Sequence, residues 1–335
     1  MTIAAPDLPM DFVHNLLAGI DHAGGDRAAI LSRAKLNTLE HATQVPQFVR
    51  LVRSVMLALD DEMLGLTERR QKVGTFALMA AYASHAPDVT KAINRLAQFF
   101  DLLDNALAIR TVQRRGRVEL VFQRKPGRVV RNPLLIETTL LTAHRFAAWL
   151  GGSWVPISEV HFDHSIPNYT SVYKALFPRA HIRFDQSDNR LIMPLSATNR
   201  PVLRTEAQAV GWAKRLPLEA FLPVHAGDDL AQRVTKRIED YLEQDTKLPS
   251  LLRVATDLGL PDHTLRRRLK TEGTSYLSLR NQARRDVAVR LLGTTEDSVE
   301  RIAEATDFSE ASAFIRAFRS WTGHTPRAFR ASMLE

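Results

Sequence analysis

The sequence predicts an α+β domain of helices and an antiparallel sheet, followed by an all-α domain with two helix-turn-helix units. Three observations support this prediction. Apolar residues recur at helical spacing up to residue 104, alternating segments and turn residues follow up to residue 205, and one short pattern occurs twice after residue 250. The predicted boundaries are 11–205 for the first domain, 206–227 for a linker and 228–335 for the second domain.

The composition is that of an ordinary globular protein, with 45% hydrophobic and 24% charged residues in 335. No run of 18 apolar residues occurs, so no membrane span is expected, and the first residues do not resemble a signal peptide. The absence of cysteine excludes disulfides, thiolate metal sites and a cysteine nucleophile. Together these features favour a cytoplasmic protein.

The net charge of +8 suggests an anionic partner, but its distribution complicates that inference. Residues 226–335 contain 18 basic and 17 acidic side chains, so the second domain is nearly neutral. Within it, residues 263–290 contain eight basic and two acidic side chains. The local cluster, rather than the global charge, therefore indicates where an anion would bind.

Helices are predicted up to about residue 104. The segment 74–84 is almost entirely apolar and small, which predicts a buried helix, and Asp88 is placed to cap the next one. An apolar stripe at helical spacing is formed by Phe48, Val52, Val55 and Leu59.

The residue pattern changes near residue 105, where predicted strands are interspersed with helices. Pro133 is suited to the first turn of a helix, and Gly151-Gly152 to its end. The predicted elements are a hairpin of strands at 107–109 and 118–122, a helix over 133–150, a strand over 155–162, a helix over 169–177, and a hairpin of strands at 181–184 and 191–194.

Pro217, Pro223 and Gly227 fall within eleven residues, which favours a connector between the domains.

The pattern that occurs twice combines a short helix, a tight turn and a second helix. Ala255 and Ala303 are 48 positions apart, and Leu265 and Phe314 are 49 positions apart. Such a repeat predicts two helix-turn-helix units. They cover residues 250–272 and 298–321.

A recognition helix needs small or polar residues over its first turns and an arginine that can donate two hydrogen bonds to guanine. Both second helices meet this requirement, because Arg267 and Arg316 occupy equivalent polar positions. The helix between the units, 276–292, would span roughly 25 Å at about 1.5 Å per residue, so two recognition helices could lie about 34 Å apart, one turn of B-DNA. For one unit alone, an amphipathic helix pair with a solvated basic face explains the pattern equally well.

Residues 226–335 resemble the DNA-binding domain of AraC/XylS-type transcription regulators. One departure is Pro261, where that family usually has serine. The resemblance is carried by Val254-Ala255, Leu258-Gly259-Leu260, Thr264-Leu265-Arg266-Arg267-Arg268-Leu269, Ile302-Ala303, Asp307-Phe308-Ser309, Ser312-Ala313-Phe314, Arg316-Ala317-Phe318-Arg319 and Trp321-Thr322-Gly323-His324-Thr325-Pro326.

The resemblance implies two sets of DNA-contacting residues. By position, the residues expected to face bases are His263, Arg266, Arg267, Ala311, Ser312 and Arg316. The residues expected to contact phosphate, on the second helices and on the linking helix, are Lys270, Arg280, Arg284, Arg285 and Arg319.

The first domain is similar to the arabinose-binding type of effector domain found in one AraC subgroup. The similar residues include Ser158-Glu159-Val160-His161-Phe162 and Arg200-Pro201-Val202. That label does not imply a sugar ligand. The helical first hundred residues do not fit the cupin sensor that is better known in the family.

This resemblance implies a transcription regulator, expected to be an activator and a homodimer, that binds promoter DNA and is controlled by an unknown small-molecule effector. Two alternatives remain open: an N-terminal domain that binds a protein partner instead of a ligand, and a non-specific DNA-binding protein. An acidic run from Glu296 to Glu310 is interpreted as a solvated face, with RNA polymerase as a second possible partner.

No enzyme activity, cofactor or metal site is expected. His161 and His164 are three apart on a predicted strand and would point to opposite faces. Candidates for the effector pocket are Tyr82, Trp149 and Trp154, together with Phe99 and Phe100, although filling the core is the more ordinary role for each.

Overall fold

The structure, a computed structural model, describes residues 8–36, 38–221, 229–245, 247–272, 274–322 and 324–334. The chain divides into a first unit, Ile3–Pro223, and a second unit, Val224–Glu335. The part of the predicted linker at 222–227, with Pro223 and Gly227, lies outside the described residues.

The first unit contains most of the helices predicted for it. Phe48, Val52 and Val55 are buried as expected, and the Asp88 carboxylate caps its helix by accepting the Lys91 N–H at 2.8 Å. The helices are α1 Met10–His22, α2 Arg27–Arg33, α3 Val45–Leu59, α4 Thr75–Ser84, α5 Val89–Asp101, α6 Pro133–Leu150, α7 Thr170–Leu176, α8 Leu195–Thr198, α9 Glu206–Lys214 and α10 Leu218–Phe221, with a 3₁₀ helix at Glu40–Thr43.

Helix α4 is buried on one side only, which corrects the prediction of a fully buried helix. Met79, Ala80 and Ala83 are buried, whereas Leu78 is 64% and Tyr82 45% exposed. An almost entirely apolar sequence has no periodicity from which the exposed side can be identified.

The sheet has the order β1-β2-β5-β3-β4. The predicted first hairpin, β1 with β2, is confirmed, and β5 is antiparallel to both β2 and β3. The strands are β1 Leu107–Arg114, β2 Arg117–Arg124, β3 Glu159–His161, β4 His181–Arg183 and β5 Asn189–Pro194.

The second predicted hairpin is wrong, because β3 lies between β4 and β5. Strand β4 pairs parallel to β3, so the sheet is mixed rather than wholly antiparallel. The Phe162 N–H donates to the Arg183 carbonyl at 2.8 Å, and the Gln186 N–H donates to the Phe162 carbonyl at 3.0 Å. These bonds hold 181–186 along the outer side of β3.

The predicted linker is also wrong for residues 206–221, which form α9 and α10 of the first unit. Trp212 is only 1% exposed, and its ring lies 5.1 Å from Phe146 and 5.9 Å from Trp149 between centroids. The large apolar surface of Trp212 is buried in the core, so α9 belongs to that core.

The regular elements of the second unit are all helices in the residues that the structure describes. Ile238, Val254, Leu265 and Leu279 come from four different helices and form one buried cluster. None of the helices described in either unit is long and apolar enough to cross a membrane. The helices are α11 Asp229–Asp245, α12 Leu251–Asp257, α13 Asp262–Thr271, α14 Tyr276–Thr294, α15 Val299–Ala305, α16 Ala311–Thr322 and α17 Pro326–Leu334.

Candidate nucleic-acid interface and effector cavity

The first helices of the two helix-turn-helix units begin with the same cap. The Ser250 hydroxyl accepts the Arg253 N–H at 3.1 Å, and the Ser298 hydroxyl accepts the Arg301 N–H at 3.2 Å. Each bond satisfies one of the backbone donors that a helix leaves free at its N-terminus. Both α12 and α15 therefore begin at a serine, and the two serines are 48 positions apart.

The turns that follow are equivalent as well. Gly259 and Asp307 occupy the left-handed region, with φ of +67° and +59°. Each turn has the six-to-one hydrogen bond typical of a helix that ends in this way. That bond is 2.9 Å long in both units, from the Leu260 N–H to the Ala255 carbonyl and from the Phe308 N–H to the Ala303 carbonyl.

The buried faces of the second helices differ in chemistry. Helix α13 buries Leu265 and Leu269, whereas α16 buries Phe314 and Phe318 at the equivalent positions. The Phe314 ring lies 5.6 Å from Phe318 and 5.5 Å from Phe308. The second unit thus has an aromatic core where the first has an aliphatic one.

The residues predicted to face bases lie on the opposite sides of these helices. His263 is 79% exposed at its side chain, and Ala311 is half-buried at the first position of α16. The remaining four are exposed: Arg266, Arg267, Ser312 and Arg316. The structure brings each set of three together on one helix, and their contact with bases stays a prediction.

A carboxylate lies beside the start of α16. The Ser312 hydroxyl donates to a Glu310 carboxylate oxygen at 3.1 Å, and both residues are exposed. At the start of α13, the His263 ring lies 3.8 Å from the Asp262 carboxylate. An acidic residue thus lies at the start of each recognition helix, as the first residue of α13 and directly before α16, where anions interact favourably with a helix N-terminus.

Three of the residues predicted to contact phosphate remain suited to that role. Lys270 and Arg319 are exposed on the second helices, and Arg280 is half-buried on α14. Their contacts with phosphate stay a prediction.

Arg284 does not have the predicted phosphate-contacting role, because its guanidinium is used inside the protein. It donates to the carbonyls of Thr306 and Asp307, both at 2.7 Å, and lies 3.4 Å from the centre of the Phe308 ring. Burial lowers the pKa of Arg284 to about 10. Arg284 thus attaches the turn of the second unit to α14.

Arg285 does not have that role either, because it is only 8% exposed. Its guanidinium pairs with the neighbouring Asp286 carboxylate at 2.8 Å. A charge on this face of α14 is thus neutralised within the helix and turned away from solvent.

Three of the aromatic residues predicted to line an effector pocket lie elsewhere in the first unit. Tyr82 is partly exposed with Arg95 over its ring, at 5.2 Å. Trp149 packs against Phe146, and the Trp154 ring is 4.6 Å from His144. None of these three lines the main cavity of the first unit, and a role for them in binding an effector stays a prediction.

The cavity lies between α3, α4, α5, α6 and the sheet, and it opens to solvent. Apolar side chains such as Met56, Met79, Phe100 and Phe122 form most of its wall. Ala213, Leu216, Pro217 and Phe221, from the end of the first unit, complete it.

Besides Thr138, Thr139 and Thr142 of α6, the polar part of the wall comes from a loop that the sequence reasoning missed. Glu62 and Gln71 line the cavity, and the Gln71 amide donates to the Glu62 carboxylate at 2.9 Å. Burial raises the pKa of Glu62 above its ordinary value, and the nearby Asp61 carboxylate adds to this. The available signal was a run of three carboxylates, at 60–62, directly before the apolar segment 63–66.

The two histidines considered as metal ligands have separate partners. His161 bonds the Glu159 carboxylate at 3.0 Å, and His164 lies 3.6 Å from Glu137. Burial raises the pKa of Glu137 to about 7, although a hydrogen bond from Tyr173 acts in the opposite direction. Glu137, Tyr173 and His164 thus form a polar contact between α6, α7 and the end of β3.

Comparison with known proteins gives two family matches. Residues 24–202 match the model described as the arabinose-binding domain of AraC transcription regulators, N-terminal, and residues 254–332 match a helix-turn-helix domain. The first match alone spans more than half of the chain.

Similar proteins cover nearly all of the chain. An ornithine utilization regulator from Pseudomonas aeruginosa is 24% identical over 336 residues, covering 98% of each chain. The HTH-type transcriptional regulator VirS from Mycobacterium tuberculosis is 26% identical over 289 residues, covering 85% of this chain and 83% of that one. The crystal structure of the transcriptional regulator CdpR from Pseudomonas aeruginosa is 19% identical, covers 97% of this chain and 100% of that one, and has a TM-score of 0.33.

Proposed function

The chain belongs to the AraC family of transcription regulators, with the arabinose-binding type of N-terminal domain, and on this premise we propose how it works. The second unit reads two adjacent major-groove segments of a promoter with α13 and α16. The first unit binds a small-molecule effector in its cavity. The effector then changes how the second unit engages DNA.

One observation supports the DNA-reading role most strongly: the arginines on α13 and α16 are free. Arg266, Arg267 and Arg316 are exposed and form no ion pair with any residue that the structure describes. Other arginines of the second unit are engaged, as Arg253 is with Asp257 and Arg301 with Asp297. A guanidinium without an internal partner remains available for guanine O6 and N7.

The linking helix supports simultaneous reading by both units. Helix α14 has 19 residues, which gives a length of roughly 28 Å at about 1.5 Å per residue. Adding the widths of the helices it joins brings the recognition helices to about one DNA turn apart. Arg284 supports a fixed spacing, because it ties α14 to the turn of the second unit.

The position of the cavity supports control by an effector. Leu216, Pro217 and Phe221 line it and are followed, after seven residues, by the first described residue of the second unit, Asp229. A ligand in contact with Phe221 of α10 would thus bind at the end of the first unit that precedes the DNA-binding unit along the chain. Binding energy that differs between two conformational states is what couples two sites.

We further propose that the regulator acts as a homodimer and as an activator on cytoplasmic DNA. In that arrangement the exposed acidic side chains Glu296, Glu300 and Glu304 are available to RNA polymerase. Their alternative role is a solvated helix face.

Footprinting on the promoters beside the gene tests the proposal. Protection of two adjacent major-groove turns per protomer, with strong dependence on salt, is expected. Weak, equal binding to all sequences would contradict it and would indicate a non-specific DNA-binding protein.

A further inference from the structure

The cavity of the first unit has a wall whose chemistry restricts what can bind there. It is a concave, mostly apolar cavity with a few polar side chains, which is the kind of site that binds one small molecule. Met56, Met79, Phe100 and Phe122 present only apolar surface, so they select a ligand with an apolar body.

Glu62 is the single ionisable residue among the described residues of the wall. One carboxylate oxygen accepts the Gly74 N–H at 2.9 Å, and the other accepts the Phe76 N–H and the Gln71 amide, both at 2.9 Å. These donors are neutral, and no described cation forms an ion pair with Glu62 within 4.0 Å. The carboxylate is thus hydrogen-bonded but not neutralised.

Gln71 adds an acceptor that has no partner. The residue is 7% exposed, and its amide oxygen forms no hydrogen bond with any described group. The orientation of the amide follows from its contact with Glu62, because the opposite orientation would place oxygen against a carboxylate. An unpaired buried acceptor is unfavourable until a donor reaches it.

The polar part of the wall therefore offers a negative charge and a free acceptor together. A ligand with a carboxylate or phosphate head would face the Glu62 carboxylate and the Gln71 oxygen. None of the described lining residues is a cation that could pair with such a head. An ammonium group supplies a positive charge and three N–H donors, which matches Glu62 and Gln71 at once.

We propose that the cavity binds a small molecule with an apolar body and a protonated amino group held by Glu62 and Gln71. This inference rests on the proposed function, because it names the chemical class of the effector. It assigns the head group to the loop 60–74 and the body to the space between α3, α4, α5, α6 and the sheet.

Three probes with the same apolar chain test the assignment on the full-length protein: octylamine, octanol and octanoate. Isothermal titration calorimetry is expected to show that octylamine binds about tenfold more tightly than octanol, the order of a charge-assisted hydrogen bond. Octanoate is expected to bind most weakly. Octanoate affinity equal to or above that of octylamine would overturn the proposal, as would failure of all three to bind.

Substitutions locate the head group. Glu62→Gln is expected to remove most of the tenfold preference for octylamine over octanol, whereas Glu68→Gln, at an exposed glutamate outside the cavity, should leave it unchanged. Gln71→Leu is expected to weaken the binding of both octylamine and octanol. This second variant keeps the test decisive if Glu62→Gln does not fold. An unchanged preference in folded Glu62→Gln would contradict the assignment.

Promoter binding by the same preparation without any probe separates this inference from the proposed function. Sequence-specific binding together with no preference for the amine would overturn the ligand class and leave the regulator intact. Loss of sequence-specific binding would overturn the proposed function, whatever the calorimetry shows.

Discussion

The two helix-turn-helix units have the same hydrogen-bonded frame but different surfaces and cores. The serine caps and the six-to-one hydrogen bonds of the turns join equivalent positions in the two units and have nearly the same lengths. Yet residues 250–272 contain five basic and three acidic side chains, whereas residues 298–321 contain three basic and four acidic ones. The frame depends on a few capping and turn positions, so the remaining positions were free to diverge. The units are thus duplicates in architecture and not in chemistry.

The cores are expected to differ in how much each central residue contributes. Phe314→Ala should cost about 3–5 kcal/mol and Leu265→Ala about 2–5 kcal/mol, with the phenylalanine change larger because it also removes two aromatic contacts. Urea denaturation measures the loss of unfolding free energy in each variant. Amide exchange should show faster exchange only in α15–α16 for Phe314→Ala and only in α12–α13 for Leu265→Ala. Loosening of both units by either change would break the comparison.

Arg284 has no counterpart in the first unit's turn, and its loss should affect the second unit alone. Arg284→Met is expected to cost about 2–3 kcal/mol, because two carbonyls lose a charged donor. The exposed Arg319→Met should change stability by less than about 0.5 kcal/mol. Equal Tm values for the two variants would show that the contact with the turn contributes nothing.

The turn positions sharpen the comparison further. Gly259→Ala should cost about 1–2 kcal/mol from its left-handed backbone alone, because an added Cβ meets no atom within 4 Å. Asp307→Gly should be nearly neutral, since relief of backbone strain offsets the lost hydrogen bond from the Leu248 N–H. Equal destabilisation by the two changes would show that the turns are held by different forces.

Removal of an exposed cation from each unit should have the smallest effect. Lys270→Gln and Arg319→Gln are each expected to weaken binding to all DNA sequences alike and to reduce the salt slope by about 1. Fluorescence anisotropy across a salt series measures both quantities. A slope unchanged by either variant would remove that residue from the phosphate contacts.

Most of what could be predicted for the second unit came from the spacing of residues within short segments of the sequence. Ser250 and Gly259 in the second unit, like Asp88 in the first, act within a few residues of themselves, so their roles can be predicted from the sequence. The strand that pairs with β4 could not be predicted from the sequence. The alternation of apolar and polar residues identifies a strand and its two faces, but not the neighbouring strand. A strand inserted from elsewhere in the chain replaced the expected hairpin.

The failures at the candidate sites have the same origin. The basic face of α14 is visible in the sequence, but the carbonyls of Thr306 and Asp307 reach Arg284 only after folding. The cavity is likewise assembled from distant segments, and its polar residues, Glu62 and Gln71, lie in an irregular loop without periodicity. Aromatic content alone pointed instead to Tyr82, which is partly exposed, and to Trp149 and Trp154, which pack against Phe146 and His144.

The central claim is that both units read bases, and paired substitutions test it most directly. Arg267→Ala and Arg316→Ala are each expected to cost about 1–3 kcal/mol in promoter affinity and to relax specificity at different base pairs about one helical turn apart. A panel of single-base-pair promoter variants, titrated with each protein, measures this. Uniform loss across the panel for either variant, or relaxation at the same base pairs by both, would contradict the claim.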